Sequence, residues 1–200
     1  MLFRSMGISY KLSQFGLSEE KSKVIIDLIK NKKTLLISGG TQTGKTSFLN
    51  TLLNYIPLEE RIITIEGVSE LKVPHTNCLN LFYSENETSA GDRSVAELLN
   101  DTLRARPDRI ILGELRKENS YAFLRAINTG HGGSSATVHS NSPKEAITAL
   151  VDNMVMNGDV SEGAVNTCRN RLLDLVDGVV QLDKVNGKPQ AYLELTRSLI

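Results

Sequence analysis

Gly39-Gly40-Thr41-Gln42-Thr43-Gly44-Lys45-Thr46 fits the pattern GxxxxGK[ST], in which each residue type has a task in holding a chain of phosphates. Glycines let the backbone curl so that successive N–H groups face an anion, and the N-terminus of the helix that follows adds its positive end. Lys45 is placed to neutralise β and γ phosphates. The Thr46 hydroxyl lies on the side where Mg²⁺ must sit, and Ser47 continues the stretch into the helix. The implied ligand is a nucleoside triphosphate carried with Mg²⁺. A guanine-specific reading is disfavoured, because no Asn/Thr-Lys-x-Asp motif exists and Leu182-Asp183-Lys184-Val185 is the nearest fragment.

A phosphate-binding loop alone binds nucleotide, and hydrolysis needs a carboxylate at a neighbouring strand end. Arg109-Ile110-Ile111-Leu112-Gly113-Glu114 supplies one, with Glu114 after an apolar strand and a glycine. Glu114 is therefore the candidate metal ligand beside Thr46 and the candidate catalytic carboxylate. Glu66 ends the run RIITIE in the same way and is a second carboxylate that could orient the attacking water. The polar segment Thr129 to Ser142 holds His131 and His139, and His139 at its strand end is placed to contact a γ-phosphate. His75, beside Pro74, reads as a surface residue. Arg61, Arg93, Arg104, Arg106 and Arg116 are candidates for a cation that the phosphates would require.

The elements that must position these residues are legible from periodicity and turn chemistry. Residues 18 to 30 form an amphipathic helix with Ile25, Leu28 and Ile29 on one face and Glu19 and Glu20 in its first turn. Thr34 to Ser38 is an apolar strand ahead of the glycine-rich loop, and helical character runs from Lys45 to Tyr55. Further strands are expected at Arg61 to Glu66, Leu79 to Tyr83, Arg109 to Glu114 and Ser134 to Val138. Ser94 with Glu97, and Ser142-Pro143 with Glu145, mark two helix starts, the second carrying Ile147, Leu150, Val151 and Met154 as its buried stripe. VVQLDKV and AYLELT around Asn186-Gly187 predict a closing β-hairpin. Alternating strands and helices imply an α/β domain with a mainly parallel sheet and its ligand at the C-terminal strand ends. Residues 1 to 17 do not fit the domain, read as a linker or remnant of a missing N-terminal domain, and leave 18 to 200 as the domain itself.

Composition excludes several classes. Two hundred residues suit one domain rather than two. Lys plus Arg and Asp plus Glu are both 23, so no global field draws the molecule to nucleic acid. The longest apolar run, Tyr121 to Leu124, has four residues against the ~20 a membrane-spanning helix needs. No signal-peptide pattern opens the chain, so a cytoplasmic location is expected. Cys78 and Cys168 lack ligand or disulfide spacing and read as free, buried thiols. No HExxH pattern exists, so a metal would arrive with a ligand.

Four ordered segments resemble the secretion traffic ATPases, the hexameric motors of type II and type IV secretion and of type IV pili. The likeness is greatest to the branch of type IV secretion, conjugation and tight-adherence pili. LLISGGTQTGKTSFLNTLLNYIP resembles that family's Walker A segment, RIITIEGVSEL its acidic box, LRARPDRIILGELR its Walker B and TGHGGSSATVHSNSP its His box. The resemblance covers residues 18 to about 183 and implies a RecA-like motor domain hydrolysing ATP with Mg²⁺. It also implies a homo-hexamer working with secretion or pilus apparatus proteins at the inner face of a bacterial membrane. On the matching positions, Lys45 and Thr46 bind phosphate and Mg²⁺, Glu66 and Glu114 serve hydrolysis, and His139 belongs to the γ-phosphate sensing segment. Two positions depart from the family: Gly67 follows Glu66 where an Asp is usual, and Lys117 follows GELR where Asp or Gly is usual. The alternative is a nucleotide-binding assembly subunit with little turnover.

Overall fold

The structure, a computed structural model, describes residues 10–84 and 93–199. Among these residues seven strands form one sheet: β1 (Leu35–Gly39), β2 (Ile62–Glu66), β3 (Cys78–Phe82), β4 (Arg109–Leu112), β5 (Ser135–Val138), β6 (Gly178–Val185) and β7 (Lys188–Leu195). Their spatial order is β3-β2-β4-β5-β1-β6-β7. Every pairing is parallel except β6 with β7. The β6–β7 turn is Asn186-Gly187 with φ of 51° and 76°, the left-handed pair that a two-residue hairpin requires.

Among the described residues six α-helices cover the sheet: α1 (Glu19–Lys30), α2 (Lys45–Leu53), α3 (Val95–Arg104), α4 (Ser120–Asn128), α5 (Pro143–Met156) and α6 (Val165–Leu175). The central strands are buried on both faces, as parallel strands between helix layers must be. In β1, Leu35 and Ile37 face a core shared with α1 and α2, while Leu36 faces the core beneath α3 to α6. The start signals hold. The Ser18, Ser94 and Ser142 side chains each accept from the backbone N–H three residues on, and Glu97 closes the capping box.

Four expectations are corrected by packing. Part of the 1–17 stretch joins the packed unit, because Leu12, Phe15 and Leu17 are buried in the α1–α2 core; residues 1–9 lie outside the described residues. The strand expected to run to Glu114 ends at Leu112, so Gly113 and Glu114 stand in the turn beyond it. His75 is buried, with Nε2 donating to the Pro57 carbonyl at 2.9 Å. Cys168 is buried but Cys78, on the edge strand β3, is only half-buried, and both are free thiols.

Candidate nucleotide site

The sheet order decides which motifs meet. The loop after β1, His139 after β5, Glu114 after β4 and Glu66 at the end of β2 all stand at C-terminal ends of parallel strands. Those strands are consecutive neighbours, so motifs spread over a hundred residues of chain line one open cavity of about 1410 Å³.

Thr41, Gln42, Thr43, Gly44, Lys45, Thr46 and Ser47 all line it. Gly39 cannot carry a side chain, since a Cβ there would lie 2.5 Å from the Leu182 carbonyl and 2.6 Å from Thr43 Oγ1. Gly44 caps α2 at φ 97°, a left-handed geometry that glycine adopts freely. Thr43 Oγ1 donates to the Gly40 carbonyl at 3.0 Å, which fixes the loop's curl.

Lys45 is buried and uses all three of its hydrogens. Nζ donates to the Gly39 carbonyl at 2.9 Å, to the Gly40 carbonyl at 2.8 Å and to His139 Nδ1 at 3.3 Å. His139 Nε2 lies 3.2 Å from Glu114 Oε1. An ammonium can only donate and a carboxylate only accept, so His139 is the neutral tautomer with its hydrogen on Nε2. Burial, then the neighbouring Lys45 charge, hold the His139 pKa below its ordinary value, although Glu114 opposes this. Burial also lowers the Lys45 pKa, again against Glu114. The other Glu114 oxygen accepts from Arg116 Nε at 3.0 Å and Nη2 at 2.8 Å. Lys45, His139, Glu114 and Arg116 thus form a continuous chain of contacts across three strand ends.

The turn carrying Glu114 and Arg116 is itself fixed. Asn119 Nδ2 donates to the Glu114 carbonyl and Asn119 Oδ1 accepts from the Arg116 N–H, both at 2.9 Å. Thr137 Oγ1, on β5, donates to the Gly113 carbonyl at 2.5 Å. Of the five candidate arginines only Arg116 lines the cavity. Arg61 contacts Asn77, Arg93 pairs with Asp101, Arg104 ends α3, and Arg106 lies between α3 and the N-terminal end of β4.

Glu66 has a structural task. Its Oε1 accepts from the backbone N–H groups of Glu70 at 2.9 Å and Leu71 at 2.8 Å, pinning the loop after β2. Asn50 of α2 clamps the same loop, donating to the Glu70 carbonyl at 2.9 Å and accepting from the Lys72 N–H at 2.7 Å. The departure at Gly67 has a physical counterpart, because a Cβ there would lie 3.3 Å from the ring of Tyr83. His131 precedes β5 and contacts the Ala126 carbonyl, so it stands apart from the site. Gly133, two residues on, is architectural: a Cβ there would meet the buried Arg109 guanidinium at 2.9 Å.

Sequence reasoning missed two contributors and left a third unranked. Arg116 was one of five equal candidates, and its spacing of two from Glu114 was the available signal. Asn119 and Asn50 carried no motif.

A family profile described as "Type II/IV secretion system protein" matches residues 2–187. The chain belongs to that family. It falls with the type IV branch of the secretion traffic ATPase superfamily. It is 39% identical over 163 residues to the type IV secretion system protein VirB11 of Bartonella quintana, covering 80% of this chain and 45% of that protein. It is 42% identical over 122 residues to protein VirB11 of Agrobacterium fabrum, covering 61% and 36%. The chain therefore spans less than half the length of these relatives. Among solved structures, the VirB11 ATPase of the Brucella suis type IV secretion system, in complex with sulphate, superposes with a TM-score of 0.78 at 26% identity. That match covers 98% of this chain and 60% of the other. The pilus retraction motor PilT with bound ADP gives a TM-score of 0.70 at 26% identity, covering 93% and 52%. The RecA-like fold expected from the motifs is the fold observed.

Proposed function

We propose that this chain binds and hydrolyses ATP with Mg²⁺ and, as a ring, drives secretion, conjugation or pilus assembly from the cytoplasmic face of a bacterial membrane. The observation that carries the reading is the contact chain from Lys45 through His139 to Glu114 and Arg116. It joins the phosphate-binding loop to the carboxylate in the turn after β4. The residues fit a polyphosphate: the Gly39 backbone leaves room for no Cβ, and the Lys45 ammonium rests on two carbonyls and an imidazole, weaker acceptors than phosphate oxygens. Among the described residues no group of three acidic, His or Cys side chains is placed to hold a metal by itself, so Mg²⁺ would be held by Thr46 and Glu114 together with phosphate oxygens. The ion supplies charge neutralisation at the phosphates.

The residues then divide the work. Lys45 turns from the loop carbonyls to the β and γ phosphates. His139, released by Lys45, donates to a γ-phosphate oxygen through Nδ1 once that nitrogen takes up a proton, while Nε2–H keeps Glu114 in place, which makes it a sensor of that position. Glu114 orients the attacking water and accepts its proton. Glu66, on the adjoining strand, is the second carboxylate, and it holds the loop that walls the cavity. Arg116 neutralises Glu114 before ligand arrives.

A second reading, nucleotide binding with little turnover, is favoured by Glu66 Oε1 being engaged with backbone and by Gly67 giving no further carboxylate. One experiment separates the two: phosphate release and Mg-ATP binding measured side by side for the parent chain and Glu114→Gln, over a range of protein concentration. Hydrolysis predicts that the variant loses about 10²-fold or more in turnover with binding changed less than threefold, and a ring predicts parent turnover that rises with concentration. Phosphate release equal in parent and variant supports the binding subunit instead.

A further inference from the structure

Phe48 on the first turns of α2 packs edge-to-face against Phe15, with ring centroids 5.0 Å apart. Phe15 in turn packs edge-to-face against Tyr10, at 6.0 Å. This aromatic ladder climbs past the phosphate-binding loop, because a Cβ on Gly44 would lie 3.7 Å from the Phe15 ring and 3.8 Å from Pro189 of β7. Its last rung, Tyr10, lines the same cavity as Lys45 and Thr46 and remains 38% exposed. Phe15 is anchored in the core, and Tyr10 is the one rung left open to the cavity.

The sheet order says which end of a nucleotide lies there. Lys45 reaches toward His139 and Glu114, just beyond the ends of β5 and β4, on one side of β1. The γ end of a triphosphate therefore faces that side. Gly44 meets Phe15 and Pro189 on the other side, where β6 and β7 lie. The nucleoside must leave the loop in the direction away from the γ-phosphate, toward Tyr10.

We propose that Tyr10 is the wall on which the nucleotide's base stacks, so that the segment ahead of α1 takes part in the site. The inference rests on the nucleotide-binding reading above. Every base has a π-face, so stacking tolerates any purine and gives affinity rather than a choice between ATP and GTP.

The test compares Mg-ATP with Mg-tripolyphosphate, which has the phosphates and no base, binding to the parent chain, Tyr10→Ala and Tyr10→Phe. Stacking predicts that Tyr10→Ala weakens ATP binding about tenfold, leaves tripolyphosphate binding within twofold of the parent, and is rescued by Tyr10→Phe. Equal weakening of both ligands, or of neither, overturns the stacking role while leaving the nucleotide site intact. A parent chain that binds neither ligand overturns the nucleotide reading and the stacking with it.

Discussion

Glu66 and Glu114 occupy equivalent places at two strand ends, yet their surroundings assign them different tasks. The Glu114 carboxylate is held by two side chains, His139 and Arg116, which a ligand can displace. Glu66 is buried and bonded to two backbone N–H groups, which cannot move without the loop. A glutamine at position 66 keeps an oxygen that accepts the same two bonds, whereas alanine leaves both donors unsatisfied at about 1–3 kcal/mol each. Glu66→Gln, which replaces two charge-assisted bonds by neutral ones, is expected to lose less stability than Glu66→Ala and less turnover than Glu114→Gln. Glu66→Ala is expected to be measurably less stable in urea. Denaturation curves and phosphate release on the three variants check this, and a Glu66→Gln loss as large as that of Glu114→Gln would make Glu66 the principal carboxylate.

At the scale of elements, the strand RIIL illustrates what a sequence pattern conveys and what it conceals. Apolar periodicity marks β4 and its trailing glutamate, because burial on both faces demands Ile110, Ile111 and Leu112. It says nothing of Arg109, which is fully buried and held by Glu60 through Nε at 2.6 Å and Nη2 at 3.1 Å. That pair spans 49 positions of chain, and no local signal reports it. The same holds for His75, whose burial comes from a contact with Pro57 across a loop. Motifs could be placed at strand ends from sequence because turn chemistry is local. That β5 lies between β1 and β4, bringing His139 between Lys45 and Glu114, is a property of strand order alone. Removing Glu60 leaves a charge buried without its partner, which costs about 3–5 kcal/mol. Glu60→Ala is accordingly expected to lower Tm by roughly 10 °C. Calorimetry tests this, and a shift below about 2 °C would mean that solvent reaches Arg109.

At the scale of the whole molecule, the described residues form a sheet between two helix layers whose working edge carries four motifs in strand order. No helix among the described residues is long and apolar enough to cross a membrane. All functional proposals rest on one premise, that the loop from Gly39 to Ser47 holds the phosphates of ATP through Lys45. Mg-ATP binding to the parent chain and to Lys45→Ala, followed by calorimetric titration with circular dichroism as a control for folding, tests it most directly. The expected result is saturable binding by the parent and a loss of at least tenfold in the variant, with unchanged secondary structure, since the ammonium is the loop's only side-chain cation while its backbone N–H groups survive. Affinities within twofold of each other, in two equally folded proteins, would contradict the account.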